Sequence, residues 1–220
     1  MDAETYEAWY HTPRGRWIGD TEFDLLRRLL RPREGESLLD VGCGTGYFTR
    51  RFAAESKLRA IGLDPDLAWL RFAVSYDHTD ASYCAGRAER LPFPACSFDR
   101  TVSVTALCFI PDQQRAVREI VRVTRKRFAI GLLNRRSLLY LRKGTRGGSG
   151  AYRGAHWHIE SEVRALFEGL AVSGLEIRSA VILASGNRLA RTVESVLPDW
   201  HRFGAFIVVA GDVIGSGRDV

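Results

Sequence analysis

Short apolar runs bounded by glycine, proline and acids alternate with amphipathic stretches along this chain, and that pattern predicts strands and helices in turn. Residues 2–10 read as a short helix carrying Tyr6, Trp9 and Tyr10. Pro13 and Gly15 predict a break. Asp20 or Thr21 then caps a helix with Phe23, Leu25, Leu26, Leu29 and Leu30 on its apolar face, and Pro32 ends it. The spacing next predicts a strand over 37–41, a helix over 47–54, a strand over 59–63 running into Asp64, a helix over 66–76 and a short strand over 82–85. Leu91-Pro92-Phe93-Pro94 predicts a loop, because proline restricts itself and its predecessor. A fourth strand over 98–104, a helix over 112–123 with Ala116, Val117, Ile120 and Val121 at core spacing, and a fifth strand over 128–133 complete the alternation.

The last third of the chain changes character. A short helix is predicted over 137–142, a glycine-rich basic loop over 143–154, and a helix over 160–168 stopped by Gly169. Strands follow over 175–183 and 206–210. The fold class this implies is α/β: a doubly wound, seven-stranded, mostly parallel sheet with helices on both faces and the last strand antiparallel. No repeat or second domain is visible. Residues 1–220 read as one domain, with 1–35 a helical cover and 137–159 a mobile basic loop or lid.

The stretch Leu38-Leu39-Asp40-Val41-Gly42-Cys43-Gly44-Thr45-Gly46-Tyr47-Phe48 carries the chemistry. Glycines at every second position let a strand turn tightly and let backbone N–H groups approach a ligand. A dinucleotide fingerprint needs a glycine where Tyr47 stands. The acid before the glycines suits an ammonium group and repels a pyrophosphate. Asp64, at the end of the second strand, is placed to accept both hydroxyls of a ribose, a role that dinucleotide folds share.

This stretch resembles the first motif of the class I S-adenosylmethionine (SAM)-dependent methyltransferases. Gly86-Arg87-Ala88-Glu89-Arg90-Leu91-Pro92-Phe93, followed by Ser97-Phe98-Asp99, resembles the corresponding run of the type 11, small-molecule group, which includes relatives of quinone-biosynthesis enzymes. Gly131-Leu132-Leu133-Asn134-Arg135-Arg136-Ser137 resembles that group's fifth-strand exit, so the resemblance covers residues 36–137. It implies SAM as cofactor and S-adenosylhomocysteine (SAH) as product. The implied cofactor residues are Asp40, Gly42, Cys43, Gly44, Gly46, Asp64, Pro65, Ala88, Glu89 and Thr105. One departure stands out: Arg87 occupies the place of the usual acid beside the adenine. Asp99, heading the fourth strand, reads as structural.

Methyl transfer to a hydroxyl or amine benefits from a base, and His11, His156 and His158 are the candidates, though each taken singly reads first as a surface or packing histidine. Tyr6, Tyr10 and Trp17, with Arg14, form a candidate substrate cover. Arg146 and Arg153 are candidate anion-binding residues of the lid.

Charge adds one question. The net charge is +6, and no acid lies between Glu119 and Glu160, while Arg122, Arg125, Lys126, Arg127, Arg135, Arg136, Arg142, Lys143, Arg146 and Arg153 are all basic. Such a run is a solvated arginine-rich face, a site for an anionic small substrate, or a nucleic-acid surface. No nucleic-acid methylation tetrapeptide, appended RNA-binding module or stacking platform accompanies it, so a small-molecule acceptor, anionic ones included, leads over an RNA methyltransferase. A non-catalytic SAM-binding protein is the remaining alternative. Four cysteines without C-x-x-C spacing predict free thiols and no metal site. No apolar run approaches the ~20 residues of a membrane helix, and the polar start is unlike a signal peptide. The expectation is therefore a cytoplasmic protein with no membrane association, as monomer or homodimer.

Overall fold

The computed structural model describes residues 2–198 and 201–215. Its strands are β1 (Ser37–Val41), β2 (Arg59–Asp64), β3 (Ser82–Ala85), β4 (Phe98–Val104), β5 (Thr124–Leu133), β6 (Val172–Ala180) and β7 (Phe206–Val213). They form one sheet in the order β3-β2-β1-β4-β5-β7-β6, and β7 alone runs antiparallel to its neighbours. The helices are α1 (Ala3–His11), α2 (Pro13–Leu30), α3 (Tyr47–Ser56), α4 (Leu67–Tyr76), α5 (Gln113–Val123), α6 (Glu160–Ala165) and α7 (Arg188–Val196). Successive residues of β1 point to opposite faces, and both faces are covered. Leu38 joins Phe23, Leu26 and Phe52 on one side of the sheet. Leu39 joins Ile120, Phe128 and Phe167 on the other.

Where the boundaries differ from the sequence pattern, the reasons are local. Helix α2 starts at Pro13 rather than after Asp20, because Thr12 caps it through a 3.0 Å bond from the Gly15 N–H. Proline is tolerated at a first helical position, where its missing N–H has no partner to lose. Gly15 is tolerated inside the helix because the Trp9 carbonyl rests where its Cβ would be. Strand β5 starts four residues early because its charged opening is paired. Arg127, only 2% exposed, donates to the Leu29 carbonyl at 2.6 Å and to Glu176 and Asp212 at 2.7 Å each. Strand β6 lies three residues earlier than its apolar pattern suggests and stops before Val181, whose φ is 63°. Helix α7, capped by Asn187, is unanticipated because its buried face is little more than Ala190.

The segment 137–159 folds into a π turn (Tyr140–Gly144) and two 3-10 turns (Thr145–Gly147, Gly150–Tyr152). Its buried anchor is Trp157. The His156 N–H donates to the Cys108 carbonyl at 2.7 Å.

Candidate active site

β1 delivers Asp40 to the carboxyl edge of the sheet, the edge at which open parallel sheets bind ligands. The chain then turns through three residues with positive φ: Gly42 (77°), Gly44 (55°) and Gly46 (79°). A Cβ on Gly42 would overlap the Cβ of Ala106, just past β4, so the two strand ends close on each other only with glycine here.

Asp40 is 1% exposed. Its Oδ2 accepts a 2.6 Å hydrogen bond from the Thr49 hydroxyl, and its Oδ1 has no partner among the described residues. Burial pushes its carboxyl up to about 7, against the Thr49 bond, which pulls it down. The nearby Thr45 hydroxyl is also buried without a partner. Asp64 is engaged differently. Its Oδ2 accepts from the Gly44 N–H and its Oδ1 from the Asp66 N–H, both at 2.9 Å. Burial raises its pKa, and these two bonds oppose the rise. Asp64 therefore ties the glycine turn to the end of β2 while facing the same space.

That space is a cavity of about 580 Å³. Of the expected cofactor residues, Asp40, Gly42, Cys43, Gly44, Asp64, Pro65, Ala88, Glu89 and Thr105 line it. Gly46 does not; a Cβ there would come within 2.6 Å of the Tyr83 hydroxyl. Arg87, exposed, pairs with Glu89 at 2.8 Å, so the departure in the motif brings its own counter-charge. Thr105 takes a left-handed φ of 56°, held by a 2.9 Å bond from its N–H to the Gly131 carbonyl.

Tyr6 and Tyr10 line the cavity from α1, their hydroxyls 3.2 Å apart, and Tyr10 stacks on Tyr47 with centroids at 3.7 Å. Sequence reasoning missed Trp69 and the turn Phe109-Ile110-Pro111, which add to the apolar lining. Trp69 had a signal, since it follows the cap residue Asp66 by three positions; the Phe109 turn had none. Arg14, Trp17, Arg146 and Arg153 lie outside the lining. Arg14 donates to the Ala184 carbonyl at 2.6 Å.

Residues 39–128 match the family model of a methyltransferase domain. Over these residues, which run from β1 into β5, the chain is similar to that methyltransferase domain. An uncharacterized Mycobacterium tuberculosis protein is 34% identical over 185 residues, covering 80% of this chain and 59% of that one. The malonyl-[acyl-carrier protein] O-methyltransferase of Serratia marcescens is 37% identical over 95 residues, 41% of this chain and 35% of that one. The chain thus spans less than two thirds of these relatives. A Thermotoga maritima SAM-dependent methyltransferase, described as a possible histamine N-methyltransferase, superposes with a TM-score of 0.75 at 24% identity, covering 95% of this chain and 94% of that one.

The residues of this cavity fit SAM. The unpartnered Asp40 Oδ1 meets the need of an ammonium group, and the remaining lone pairs of Asp64 meet that of ribose hydroxyls. No histidine lines the cavity. His11 contacts the Tyr76 hydroxyl at 2.9 Å, on the surface. His156 is half exposed, 3.9 Å from Glu162. His158 is buried, its Nε2 2.9 Å from Gln113 Oε1 and its Nδ1 4.0 Å from Cys108 Sγ. Burial, then the neighbouring His156, pushes it down to about 4.

Half of the basic run is neutralised by acids from elsewhere in the chain. Arg122 pairs with Glu119, Arg125 with Asp99, Lys126 with Glu36 and Asp99, Arg127 with Glu176 and Asp212, and Arg135 with Glu162. An acid-free stretch of sequence is not an acid-free surface. Among the described residues no helix is long and apolar enough to cross a membrane.

Proposed function

We propose that this protein transfers a methyl group from SAM to a small-molecule acceptor bound under the tyrosines of α1. The observation that carries this reading is the unpartnered Oδ1 of buried Asp40 at the floor of a cavity whose upper wall is aromatic. Bound SAM supplies a methyl group already activated on a sulfonium. The chain's own task is to hold and align. Asp40 takes the ammonium and fixes the cofactor's amino-acid end. Asp64 holds the ribose and keeps the Gly44 turn closed on it. Tyr6, Tyr10, Trp69 and Phe109 exclude water and orient the acceptor, the contribution that proximity makes to an in-line displacement.

The cavity's charge bears on the acceptor. Its lining carries Asp40, Asp64, Asp66 and Glu89 against Arg87 alone. This favours a neutral or cationic acceptor over an anionic one, because a second anion among carboxylates is repelled. The description of the Thermotoga structure names a small amine and agrees with that class, whereas the malonyl group named for the Serratia relative carries a carboxylate and stands against it. The five ion-paired basic residues lend no support to a nucleic-acid acceptor.

Isothermal titration with SAH, followed by methyl-donor consumption across small amines, phenols and carboxylates, tests the proposal. SAH binding with turnover of at least one acceptor is the expected result. Heat with NAD and none with SAH would overturn it.

A further inference from the structure

A second cavity, of about 560 Å³, opens at the other end of the sheet's carboxyl edge. It lies where β5 and β6 end and β7 begins, and no residue lines both it and the cavity under the α1 tyrosines. Its lining includes two buried polar side chains. Asn134, 2% exposed, donates through Nδ2 to the Arg202 carbonyl at 3.0 Å and the Gly204 carbonyl at 2.7 Å, and accepts at Oδ1 from the Arg136 N–H at 2.9 Å. Ser179, equally buried, donates to the His201 carbonyl and accepts from the Gly204 N–H at 3.3 Å. One asparagine thus pins the backbones of two arginines from distant segments to the same cavity.

Arg136, Arg164, Arg178 and Arg202 all line it, and Glu160 is the one carboxylate among its described lining residues. That carboxylate is shared. Arg164 donates to it at 2.9 Å from α6, and Arg202 approaches it at 3.4 Å from the segment before β7. Arg178 donates to the Ile177 carbonyl at 2.9 Å and lies 3.9 Å from Glu176, which Arg31 and Arg127 also engage. Arg136 is exposed, and its side chain has no hydrogen bond or ion pair among the described residues.

A cleft lined by one sign of charge focuses its field and concentrates counter-ions. Each guanidinium carries five N–H donors in a fixed fork, and Glu160 takes only a few of them. The arginines come from three directions: the exit of β5, α6 and the approach to β7. A carboxylate offers two oxygens in one plane. A phosphate group offers three that point apart, with a charge of about −1.5 to −2. Ile177, Ile207 and the exposed ring of Phe203 add an apolar wall beside these donors. The first cavity is lined mainly by acids among its charged residues, so an anion drawn to this molecule collects in the second.

We propose that this second cavity binds the phosphate group of a small phosphorylated molecule, whose apolar portion lies against Phe203. The site is independent of the SAM reading, because the two cavities share no residue.

Isothermal titration at a constant ionic strength of about 0.15 M, with phenyl phosphate, benzoate and benzyl alcohol as probes, tests it. Phenyl phosphate binds at least about tenfold tighter than benzoate, and the alcohol gives no heat. Arg136→Gln with Arg202→Gln weakens phenyl phosphate by at least about tenfold, and Arg136→Gln alone by a smaller factor. SAH affinity is the same in these variants as in the wild-type protein. Both arginines are exposed, and thermal unfolding checks that the variants are folded. Arg146→Gln with Arg153→Gln removes the same charge outside the cavity and leaves phenyl phosphate affinity unchanged. No binding of phenyl phosphate, equal binding of benzoate, or an equal loss in both double variants would each overturn the proposal. Displacement of phenyl phosphate by oligouridylate at a lower phosphate concentration would overturn it in favour of a nucleic-acid surface.

Discussion

The floor of the cavity comes from one stretch of chain, Asp40 to Asp64, whereas its rim joins Tyr6 and Tyr10 to Phe109 and Ala151 from distant segments. The floor is held by short-range bonds: Thr49 to Asp40, and the Gly44 and Asp66 N–H groups to Asp64. The rim is held by ring packing, Tyr10 on Tyr47 and Tyr6 on Trp69 with centroids 5.1 Å apart. A floor of directed bonds presents the same groups to one cofactor. A rim of packed rings is reshaped by any change in residue size, so acceptor choice resides there.

The largest expected effect is at the floor. Asp40→Asn weakens SAH binding by about two orders of magnitude, since it removes the charge from a buried, hydrogen-bonded ion pair. The unliganded variant also loses a pH dependence. The folded wild-type protein holds the Asp40 proton up to about 7, above the unfolded value, so stability falls as pH rises from about 4 to 7. Chemical denaturation of Asp40→Asn across that window lacks this decline. Equal SAH affinity in variant and wild type would detach Asp40 from the cofactor.

The next effect separates stability from catalysis. His158 is pushed down to about 4, so the unfolded chain binds its proton first. Stability is full above about 6.5 and drops by about 3 kcal/mol as pH falls to 4. His158→Gln abolishes that part of the acid slope and leaves SAH affinity at neutral pH intact. A large loss of turnover with no change in the slope would restore His158 as a base.

A change confined to the rim follows. Gly19→Ala drives a methyl group against Tyr47 and Tyr10 and costs about 1–3 kcal/mol by overpacking. Acceptor affinity falls while SAH affinity holds; parallel loss of both would erase the distinction between the regions. The smallest effect is expected from Arg146→Ala with Arg153→Ala. Both residues are exposed and outside the lining, and stability stays within about 0.5 kcal/mol with acceptor affinity unchanged. Loss of acceptor affinity in this double variant would bring the basic segment back to the rim.

The same division marks what was legible in the sequence. β1, β3 and β4 and the glycine turn were readable because strand, turn and acid follow each other within a few residues. Tyr6 and Tyr10 were readable as aromatics near a helix start. The Phe109 turn was not, because it borders the cavity only through the chain reversal after Thr105. The start of β5 was obscured by Arg125, Lys126 and Arg127, whose counter-charges lie far along the chain. The histidines stand out by residue type, and type says nothing of place: His158 is buried between Cys108 and Gln113 and its backbone bridges to Asn134. Half of the basic run is likewise answered by acids distant in sequence, since charge along a chain becomes charge on a surface only after folding has distributed the acids.

The contact of the Trp9 carbonyl with Gly15 has a mechanical consequence. It leaves no slack at the elbow between α1 and the first turns of α2, which Thr12 further pins from both sides by accepting from Gly15 and donating to Trp9. The tyrosines of α1 and the whole of α2 therefore travel as one rigid piece, and any breathing that admits a guest must bend the chain beyond Leu30, where Arg31 already adopts a left-handed turn.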